Sequence, residues 1–416
     1  MSEMWREAPL AEMADITMGQ SPESSCVASS ERGLPFLQGC AEFGDRTPKP
    51  VLYCSPPLRT ARAGSTLISV RAPVGTTNIA DQDYCIGRGL GAVCAKPMIA
   101  DNSFLLYAIE QNVGFLHRRS QGSTFSAISS KELASLPVPR LARSTQRQIA
   151  RILTTLDNAI EHTESLISKY RQIKSGLMHD LFTRGVLPNG KLRPAREEAP
   201  GIYKESVLGW IPREWEVTEL RNLTRQIGDG IHTTPVYADD SDYFFINGNN
   251  LKDGRIVTKG ANCISQSEYK KLGIDLRDDT VLLSINGTVG NLAFYRGEPV
   301  VLGKSAAYIA CSGRLDRVFL YYFLQSNQTA KYFDIMLTGT TIRNLSLSSI
   351  RAMPVVVPTA GEQLRIAEPL EVMDSLICMQ VASLQNARST KSGLMHDLLT
   401  VRVRVSDDTT REQNPQ

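Results

Sequence analysis

The sequence contains no segment typical of membrane insertion or export. No apolar run reaches the length of about 18 residues that a transmembrane helix requires. The first residues, MSEMWREAPLAEMADIT, mix acidic and apolar side chains and lack the apolar core of a signal peptide. The eight cysteines include no C-x2-C pair, so no zinc or redox motif is indicated and the thiols suit a reducing compartment. We therefore expect a cytoplasmic protein.

The chain also lacks a strong net charge. It carries 46 Lys and Arg against 43 Asp and Glu, a formal charge of +3. Such a balance neither demands nor excludes a nucleic-acid partner, because binding would then depend on basic residues gathered on one face. The length of 416 residues and the apolar content of 42% predict a globular protein of two to four domains.

Catalytic motifs are missing as well. VLGKSAA (Val301–Ala307) resembles the end of a phosphate-binding loop, but Glu298 stands where that loop needs a glycine. The chain has no G-x-S-x-G elbow, no H-E-x-x-H, and no G-x-G-x-x-G that opens a helix. We therefore predict no catalytic residues, no metal site and no cofactor of its own.

A long internal repeat is the main feature that is present. KSGLMHDL occurs at Lys174–Leu181 and again at Lys391–Leu398, 217 positions later. Upstream, TLISVRAPVG (residues 66–75) matches VLLSINGTVG (281–290), and PFLQG (35–39) resembles FFING (244–248). The chain therefore consists of two copies of a unit of about 200 residues, each a domain plus a connector.

Each copy changes its hydrophobic period partway. The first part has short β-branched runs bounded by turn residues, which predict strands, with a few short helices. The second part predicts a heptad helix of about 40 residues, about 60 Å long. Its seam positions are Ile149, Leu153, Leu156, Ile160, Thr163, Ile167, Tyr170, Lys174, Leu177 and Leu181 in the first copy, and Ile366, Leu370, Met373, Ile377, Gln380, Leu384, Ala387, Lys391, Leu394 and Leu398 in the second.

Both copies break the seam at the same places, Thr163 or Gln380 and Lys174 or Lys391, which indicates that the two helices pack on each other. The alternative is that each helix docks on its own globule. Pro369 is predicted to start or kink the second helix.

These patterns predict an α+β fold in which two similar mixed α/β globules are separated by two long helices that form an antiparallel coiled coil. The predicted ranges are a globule at 1–143, a spacer helix at 144–184, a linker at 185–204, a globule at 205–358, a spacer helix at 359–402 and a disordered tail at 403–416. The linker and the tail are predicted from their polar composition, with Pro and Gly frequent in the linker.

The order of these elements resembles that of the DNA-specificity subunit of type I restriction–modification systems, over almost the whole chain. GSTFSAISSKELASLPVPRLARSTQRQIARIL (122–153) precedes the first long helix, and GTTIRNLSLSSIRAMPVVVPTAGEQLRIAEPL (339–370) leads into the second. GDGIHTTP (228–235) also resembles the start of the family's target-recognition domain, whereas MGQSPESS (18–25) lacks the His.

The resemblance implies two target-recognition domains, each reading half of a split double-stranded DNA sequence. The helices would space them and dock two methyltransferase subunits. The predicted docking contacts are the seam residues Leu153, Leu156, Ile160, Leu177, Leu181, Leu370, Met373, Ile377, Leu394 and Leu398. A motor nuclease subunit would join that core. S-adenosylmethionine and ATP would be bound only by the partners.

The repeat also selects candidate DNA contacts, since matched loop positions that differ between copies could read different bases. Arg71 is matched by Asn286, and these side chains suit guanine and adenine respectively. Arg88 and Lys304 lie in glycine-flanked loops suited to phosphate contact. The further candidates are Arg118, Arg119, Gln121, Thr124, His232, Thr233, Thr234, Arg343 and Asn344.

Two other classes of function are compatible with the sequence. A scaffold whose two heads bind proteins or sugars would show binding that hardly weakens with salt, unlike binding to DNA. An enzyme would depend on Lys304 for nucleotide binding.

Overall fold

The computed structural model describes residues 6–120, 127–339 and 343–400, together with 402, 403 and 405. The chain forms two compact units. Unit 1 consists of Met1–Ser165 and Val381–Gln416, and unit 2 of Leu166–Gln380. Each unit therefore contains one globule, the first half of one long helix and the second half of the other.

The elements from the start of the chain through the first long helix are strands β1 Arg6–Pro9, β2 Ala14–Met18, β3 Val27–Ala28, β4 Leu34–Leu37, β5 Leu52–Cys54, β6 Thr60–Ala61, β7 Thr66–Ser69, β8 Thr77–Ile79, β9 Tyr84–Ile86, β10 Leu90–Ala95 and β11 Pro137–Arg140, and helices α1 Leu10–Met13, α2 Asn102–Gln111, α3 Val113–Ser120, α4 Ser130–Ala134 and α5 Arg143–Arg184.

The remaining elements are strands β12 Tyr203–Ser206, β13 Gly209–Pro212, β14 Glu216–Glu219, β15 Thr224–Asp229, β16 Tyr237–Ala238, β17 Tyr243–Ile246, β18 Leu251–Lys252, β19 Arg255–Ile256, β20 Asn262–Ile264, β21 Thr280–Ser284, β22 Leu292–Phe294, β23 Val300–Leu302, β24 Ala306–Cys311 and β25 Pro354–Val357, and helices α6 Gln266–Leu272, α7 Arg317–Phe323, α8 Asn327–Met336, α9 Leu347–Ala352 and α10 Ala360–Leu399.

The two globules share one sheet topology. Unit 1 has an antiparallel sheet β2-β10-β7-β8, and unit 2 has the corresponding sheet β15-β24-β21-β22. A second sheet has the order β3-β5-β4-β9-β6 in unit 1 and β16-β20-β17-β23 in unit 2. Its only parallel pair among the described strands is β4 with β9, or β17 with β23. The repeat seen in the sequence is therefore a repeat of structure.

The central strands β7 and β21 are buried on both faces, as their continuous apolar runs predict. Because side chains alternate along a strand, Ile68 enters a cluster with the helices while Leu67 enters a cluster with the second sheet. In the same way, Leu283 faces the helices of unit 2 and Leu282 faces its second sheet. Each globule thus has two apolar cores on opposite sides of one sheet.

The long helices α5 and α10 contain 42 and 40 residues, which confirms the predicted length. In unit 1, Leu153 near the start of α5 shares an apolar cluster with Leu398 near the end of α10. In unit 2, Leu370 near the start of α10 shares a cluster with Leu181 near the end of α5. The helix segments are therefore antiparallel in each unit, and both also pack on the globule. Packing of the helices on each other and docking of each helix on a globule, predicted as alternatives, occur together.

The seam is less uniformly buried than a coiled-coil pattern implies. Leu156, Ile160, Met373 and Ile377 are only half-buried, whereas other seam residues are buried, namely Ile149, Leu153, Ile167, Leu181, Ile366, Leu370, Leu384 and Leu398. Helix α10 begins at Ala360 and continues through Pro369, so this proline does not start the helix. Its ring lies in the segment that packs on the globule.

The segment predicted to be a linker is folded onto unit 2. Val186 is buried and bridges to Leu192, and the buried Arg193 forms an ion pair with Glu362 of α10. Tyr203 donates a hydrogen bond from its hydroxyl to the carbonyl oxygen of Pro194 at 2.6 Å. The polar, proline-rich segment 185–204 therefore packs on unit 2 along part of its length.

Most of the predicted disordered tail lies outside the described residues, since only 403 and 405 of the range 403–416 are described. Within the described part of the chain, no helix is both long enough and apolar enough to cross a membrane.

Candidate nucleic-acid interface

The candidate interface of unit 1 is built around the loop that joins β7 to β8. The Val70 amide donates to the carbonyl oxygen of Gly89 at 2.9 Å, and the Ile128 amide donates to the carbonyl oxygen of Val70 at 2.8 Å. Arg71 pairs with Ala127 in an isolated bridge. These bonds bring Arg71 beside the Gly87–Gly89 turn that carries Arg88, and both arginine side chains are exposed.

Unit 2 repeats this arrangement with different side chains. The Ile285 amide donates to Ser305 O at 2.9 Å, and the Leu345 amide donates to Ile285 O at 2.9 Å. Asn286 bridges to Asn344, and its side-chain amide donates to the carbonyl oxygen of Lys304 at 3.2 Å.

Arg343 joins the same group, because its carbonyl oxygen accepts a hydrogen bond from the Gly287 amide at 3.0 Å. Candidates from three separate stretches of sequence therefore meet in unit 2.

A fourth segment lies beside the lysine turn of unit 2. The Gly230 amide donates to Ala306 O at 3.2 Å and the Ile231 amide to Leu302 O at 2.8 Å. This places the exposed residues His232, Thr233 and Thr234 next to that turn. The His232 ring nitrogen Nε2 lies 2.9 Å from Asp229 Oδ2, so the imidazole is oriented by a carboxylate.

The matching bonds in unit 1 come from Gly19, whose amide donates to Leu90 O at 2.8 Å, and from Gln20, whose amide donates to Ile86 O at 3.0 Å. Ser21 therefore occupies the place that His232 holds in unit 2.

Helix α3 adds two arginines to the interface of unit 1. The His117 ring nitrogen Nε2 lies 2.9 Å from the carbonyl oxygen of Val74, which fixes the helix against the β7–β8 loop. Gly75 at φ 87° permits this approach, because a Cβ atom there would lie 2.6 Å from a methyl of Val113.

Arg118 and Arg119 lie in the last turn of this helix and are exposed, and the Arg119 guanidinium covers the Phe115 ring at 3.7 Å. Gln121 and Thr124 lie outside the described residues.

The basic side chains of the two candidate interfaces, one in each unit, differ from many other arginines in forming no ion pair with a carboxylate of the described residues. Exposed arginines elsewhere, such as Arg140, Arg225 and Arg314, form ion pairs. Among the described residues, no ion pair involves the six interface cations, which are Arg71, Arg88, Arg118, Arg119, Lys304 and Arg343. Their charges are available to an external anion such as a phosphate group.

Sequence comparison of the copies missed one amide side chain in the candidate interface of each unit. The exposed Gln38 donates from Nε2 to Ser21 Oγ at 3.2 Å, and its backbone carbonyl oxygen accepts from the Gly89 amide at 3.3 Å. The matched residue in unit 2, Asn247, accepts from Ser305 Oγ at 3.0 Å. The available signal was the PFLQG and FFING match, in which this position changes from one amide to another.

A glutamine in the first turn of each long helix has a structural role. Gln363 is 1% exposed, and its amide donates to the carbonyl oxygens of Arg314 and Pro358, both at 3.0 Å, while its Oε1 accepts from the Asp316 amide at 2.8 Å. Gln146 makes the equivalent bonds in unit 1, to Ile99, Leu141 and Asp101. Each glutamine ties its long helix to the aspartate that caps a helix of the globule, Asp101 for α2 and Asp316 for α7.

No group of three or more metal-ligating side chains is arranged to hold an ion in the regions that the structure describes.

Comparison with known proteins agrees with this architecture. The family model of the type I restriction modification DNA specificity domain matches residues 3–169 and again residues 212–384. The putative type I restriction enzyme MjaX specificity subunit of Methanocaldococcus jannaschii is 39% identical over 178 residues, 43% of this chain and 40% of that protein. A putative type I specificity subunit of Mycoplasma pneumoniae is 31% identical over 295 residues, 70% of this chain and 68% of that protein.

The fold is also that of a solved structure. The crystal structure of the type I restriction-modification system S subunit from M. genitalium superposes with a TM-score of 0.62 at 16% identity, covering 95% of this chain and 96% of that one. The matches define a DNA-specificity protein of the restriction–modification type. The chain belongs to the type I restriction modification DNA specificity family and carries two copies of its domain, as the sequence predicted.

Proposed function

We propose that this protein is the non-catalytic subunit that recognises the DNA sequence for a type I restriction–modification complex, each globule reading one half of a split target. The observation that carries the proposal is the convergence of matched loops on one scaffold in both units, with different polar side chains at equivalent positions. Shared backbone hydrogen bonds keep the loops in place, and the exchanged side chains alter what they contact.

The chemistry of the loops suits the two kinds of contact that DNA offers. Arg71 would bind the O6 and N7 acceptors of guanine, while Asn286 would read adenine through the donor and acceptor of its amide. Arg88 and Lys304, at the tips of their turns, would contact phosphates and set the position of each globule on the duplex. Gln38 and Ser21 would extend the readout of unit 1, as His232 and Thr233 would in unit 2.

The long helices would fix the gap between the half-sites, since a helical pair holds a distance that a flexible tether would not. Two weak half-site contacts then combine through effective concentration. The same helices would dock two methyltransferase subunits, and a motor nuclease subunit would join them. Adenine methylation and cleavage, with S-adenosylmethionine and ATP, would belong to those partners, in the cytoplasm.

Methylome sequencing of cells that carry this chain with its methyltransferase tests the proposal. We expect one split motif, and we expect Asn286→Ala to relax only the half read by unit 2 while the half read by unit 1 is kept. The matched variant Arg71→Ala should have the reverse effect. A methylome without any split motif, or a variant that degrades both halves equally, would contradict the assignment. DNA binding that does not weaken with salt would favour a protein-binding scaffold instead.

A further inference from the structure

The two lysines that break the heptad seam each sit in a cluster of three side chains. Clasp 1, in unit 1, consists of Lys391, Asp157 and Tyr107. The Lys391 Nζ atom lies 2.6 Å from Asp157 Oδ1 and 5.3 Å from the centre of the Tyr107 ring. The Tyr107 hydroxyl donates to Asp157 Oδ2 at 2.7 Å. One aspartate therefore accepts from both other members, and the lysine also lies over the aromatic ring.

Clasp 2, in unit 2, repeats this geometry with Lys174, Asp374 and Tyr322. The Lys174 Nζ atom lies 2.6 Å from Asp374 Oδ1 and 5.1 Å from the centre of the Tyr322 ring. The Tyr322 hydroxyl donates to Asp374 Oδ2 at 2.9 Å. Burial, followed by the charge of Asp374, raises the pKa of Tyr322 above its ordinary value, so the hydroxyl keeps its proton.

Each clasp joins three helices. The lysine comes from the second half of one long helix, the aspartate from the first half of the other, and the tyrosine from the globule helix α2 or α7. The lysine side chains of clasps 1 and 2 are 21% and 15% exposed, so their charges are largely withdrawn from water. A charge in this position is costly without its partner, which makes the pairing selective.

Both clasps specify one antiparallel register. Asp157 precedes Lys174 by 17 residues on α5, and Lys391 follows Asp374 by 17 residues on α10. A shift of α10 by one heptad would bring Ala367 or Val381 opposite Lys174. In either direction the lysine would face an apolar side chain.

Clasp 1 discriminates less strictly between the observed register and shifted ones. The same shifts would bring Ala150 or Glu164 opposite Lys391, so in one direction this lysine would find a new carboxylate. Lys174 thus opposes a shift in both directions, whereas Lys391 opposes it in only one. A polar residue in a coiled-coil seam is known to fix register at a cost in stability.

We propose that the two clasps are positioning devices that fix the register of α5 against α10 and thereby restrict the protein to DNA targets with one gap length. This inference rests on the proposed function, because the gap has meaning only if each globule reads one half-site.

The test uses Lys174→Met, Lys391→Met and the double variant in the full chain, co-expressed with its methyltransferase. Methionine keeps an unbranched apolar side chain in the seam. The control is Arg388→Met, which removes an ion pair between the same two helices. Arg388 pairs with Glu164, and the two side chains are 60% and 44% exposed. Methylation is measured by sequencing on a plasmid library in which the gap between the half-sites runs from four base pairs shorter to four longer.

We expect the wild type and Arg388→Met to modify one gap length. Lys174→Met should raise the modification at other gaps relative to the preferred one at least tenfold, Lys391→Met should raise it less, and the double variant should raise it most. Thermal unfolding of the free protein is the readout independent of DNA, and the melting temperature should fall by only a few degrees, because each aspartate keeps its hydrogen bond from the tyrosine hydroxyl.

Three outcomes would overturn the inference: unchanged gap selectivity in the double variant, a larger effect of Lys391→Met than of Lys174→Met, or equal broadening in Arg388→Met. If a methionine variant fails to fold, Tyr322→Phe replaces it, since loss of the single hydroxyl bond to Asp374 should still broaden the gap range measurably; unaltered selectivity would then count against the clasp. A wild type that modifies no split motif contradicts the proposed function itself, a result distinct from any of these.

Discussion

Replacement of Arg193 by methionine should strongly destabilise unit 2. The Arg193 side chain is 5% exposed and that of its partner Glu362 is 4% exposed. The guanidinium contacts Glu362 Oε1 closely and donates to Glu362 Oε2 at 3.2 Å and to Glu214 Oε2 at 2.9 Å. Burial lowers the pKa of Arg193, but the hydrogen bonds to both carboxylates outweigh this effect and the pKa is raised.

The magnitude follows from what the substitution leaves behind. Without the guanidinium, the Glu362 carboxylate stays buried and retains the Val186 amide, 2.9 Å from Oε1, as a hydrogen-bond donor. Removal of one member of a buried ion pair costs about 3–5 kcal/mol. At about 2–4 °C per kcal/mol for a unit of this size, the melting temperature of unit 2 should fall by roughly 6–20 °C.

The assay is urea unfolding followed by tryptophan fluorescence, because Trp215 is 1% exposed within unit 2 and reports its opening. Glu214→Gln is the matched control, since this carboxylate is 77% exposed and its loss should cost less than about 1 kcal/mol. In the double variant Arg193→Met, Glu362→Leu, most of the loss should be recovered, because an apolar pair leaves no unpaired charge. A loss below about 1 kcal/mol for Arg193→Met, or a double variant no more stable than the single, would refute this account.

Three further predictions concern other parts of the chain. Arg88→Ala should reduce the salt dependence of DNA binding by about 0.9 in the slope of log K against log[salt] and leave sequence preference intact; a changed methylation motif would mean that Arg88 contacts a base. Gln363→Leu should lower the free energy of unfolding of unit 2 by about 2–4 kcal/mol, because three backbone groups lose their partners; unchanged urea midpoints would show that other groups or water replace them. Burial, followed by the charge of Asp279, raises the pKa of the Cys311 thiol to about 12, so iodoacetamide at pH 8 should modify the exposed Cys378 and spare Cys311 until the protein unfolds; modification of both in the folded protein, identified by peptide mass spectrometry, would be the contrary result.

The sequence was sufficient for features set by local pattern and by the repeat. The apolar runs at β7 and β21 identified strands because strands buried on both faces need continuous apolar residues. The heptad spacing identified two helices of the observed length. The repeat also grouped the loop candidates Arg71 with Asn286 and Arg88 with Lys304, pairs that occupy equivalent places in the two units.

Local sequence pattern could not predict contacts between residues far apart in the chain. Gln38 reaches the interface because β4 pairs in parallel with β9, and nothing local to either strand encodes that pairing. The polar composition after α5, rich in Pro and Gly, predicts a linker, whereas Arg193 in that segment pairs with a carboxylate 169 residues away. Whether the end of each long helix packs on a globule was equally undetermined, since a heptad pattern shows an apolar face without showing what covers it.

The discontinuity of unit 1 has a consequence for biosynthesis. Its apolar cluster includes Leu398 and Leu399, from the end of α10, beside Ile149 and Leu153 from the start of α5. Unit 2 is one continuous stretch of chain, Leu166–Gln380, and can close as soon as that stretch has left the ribosome. Unit 1 is translated first but must wait for α10 to be finished, with part of its apolar surface uncovered meanwhile. The globule made first is therefore the one completed last.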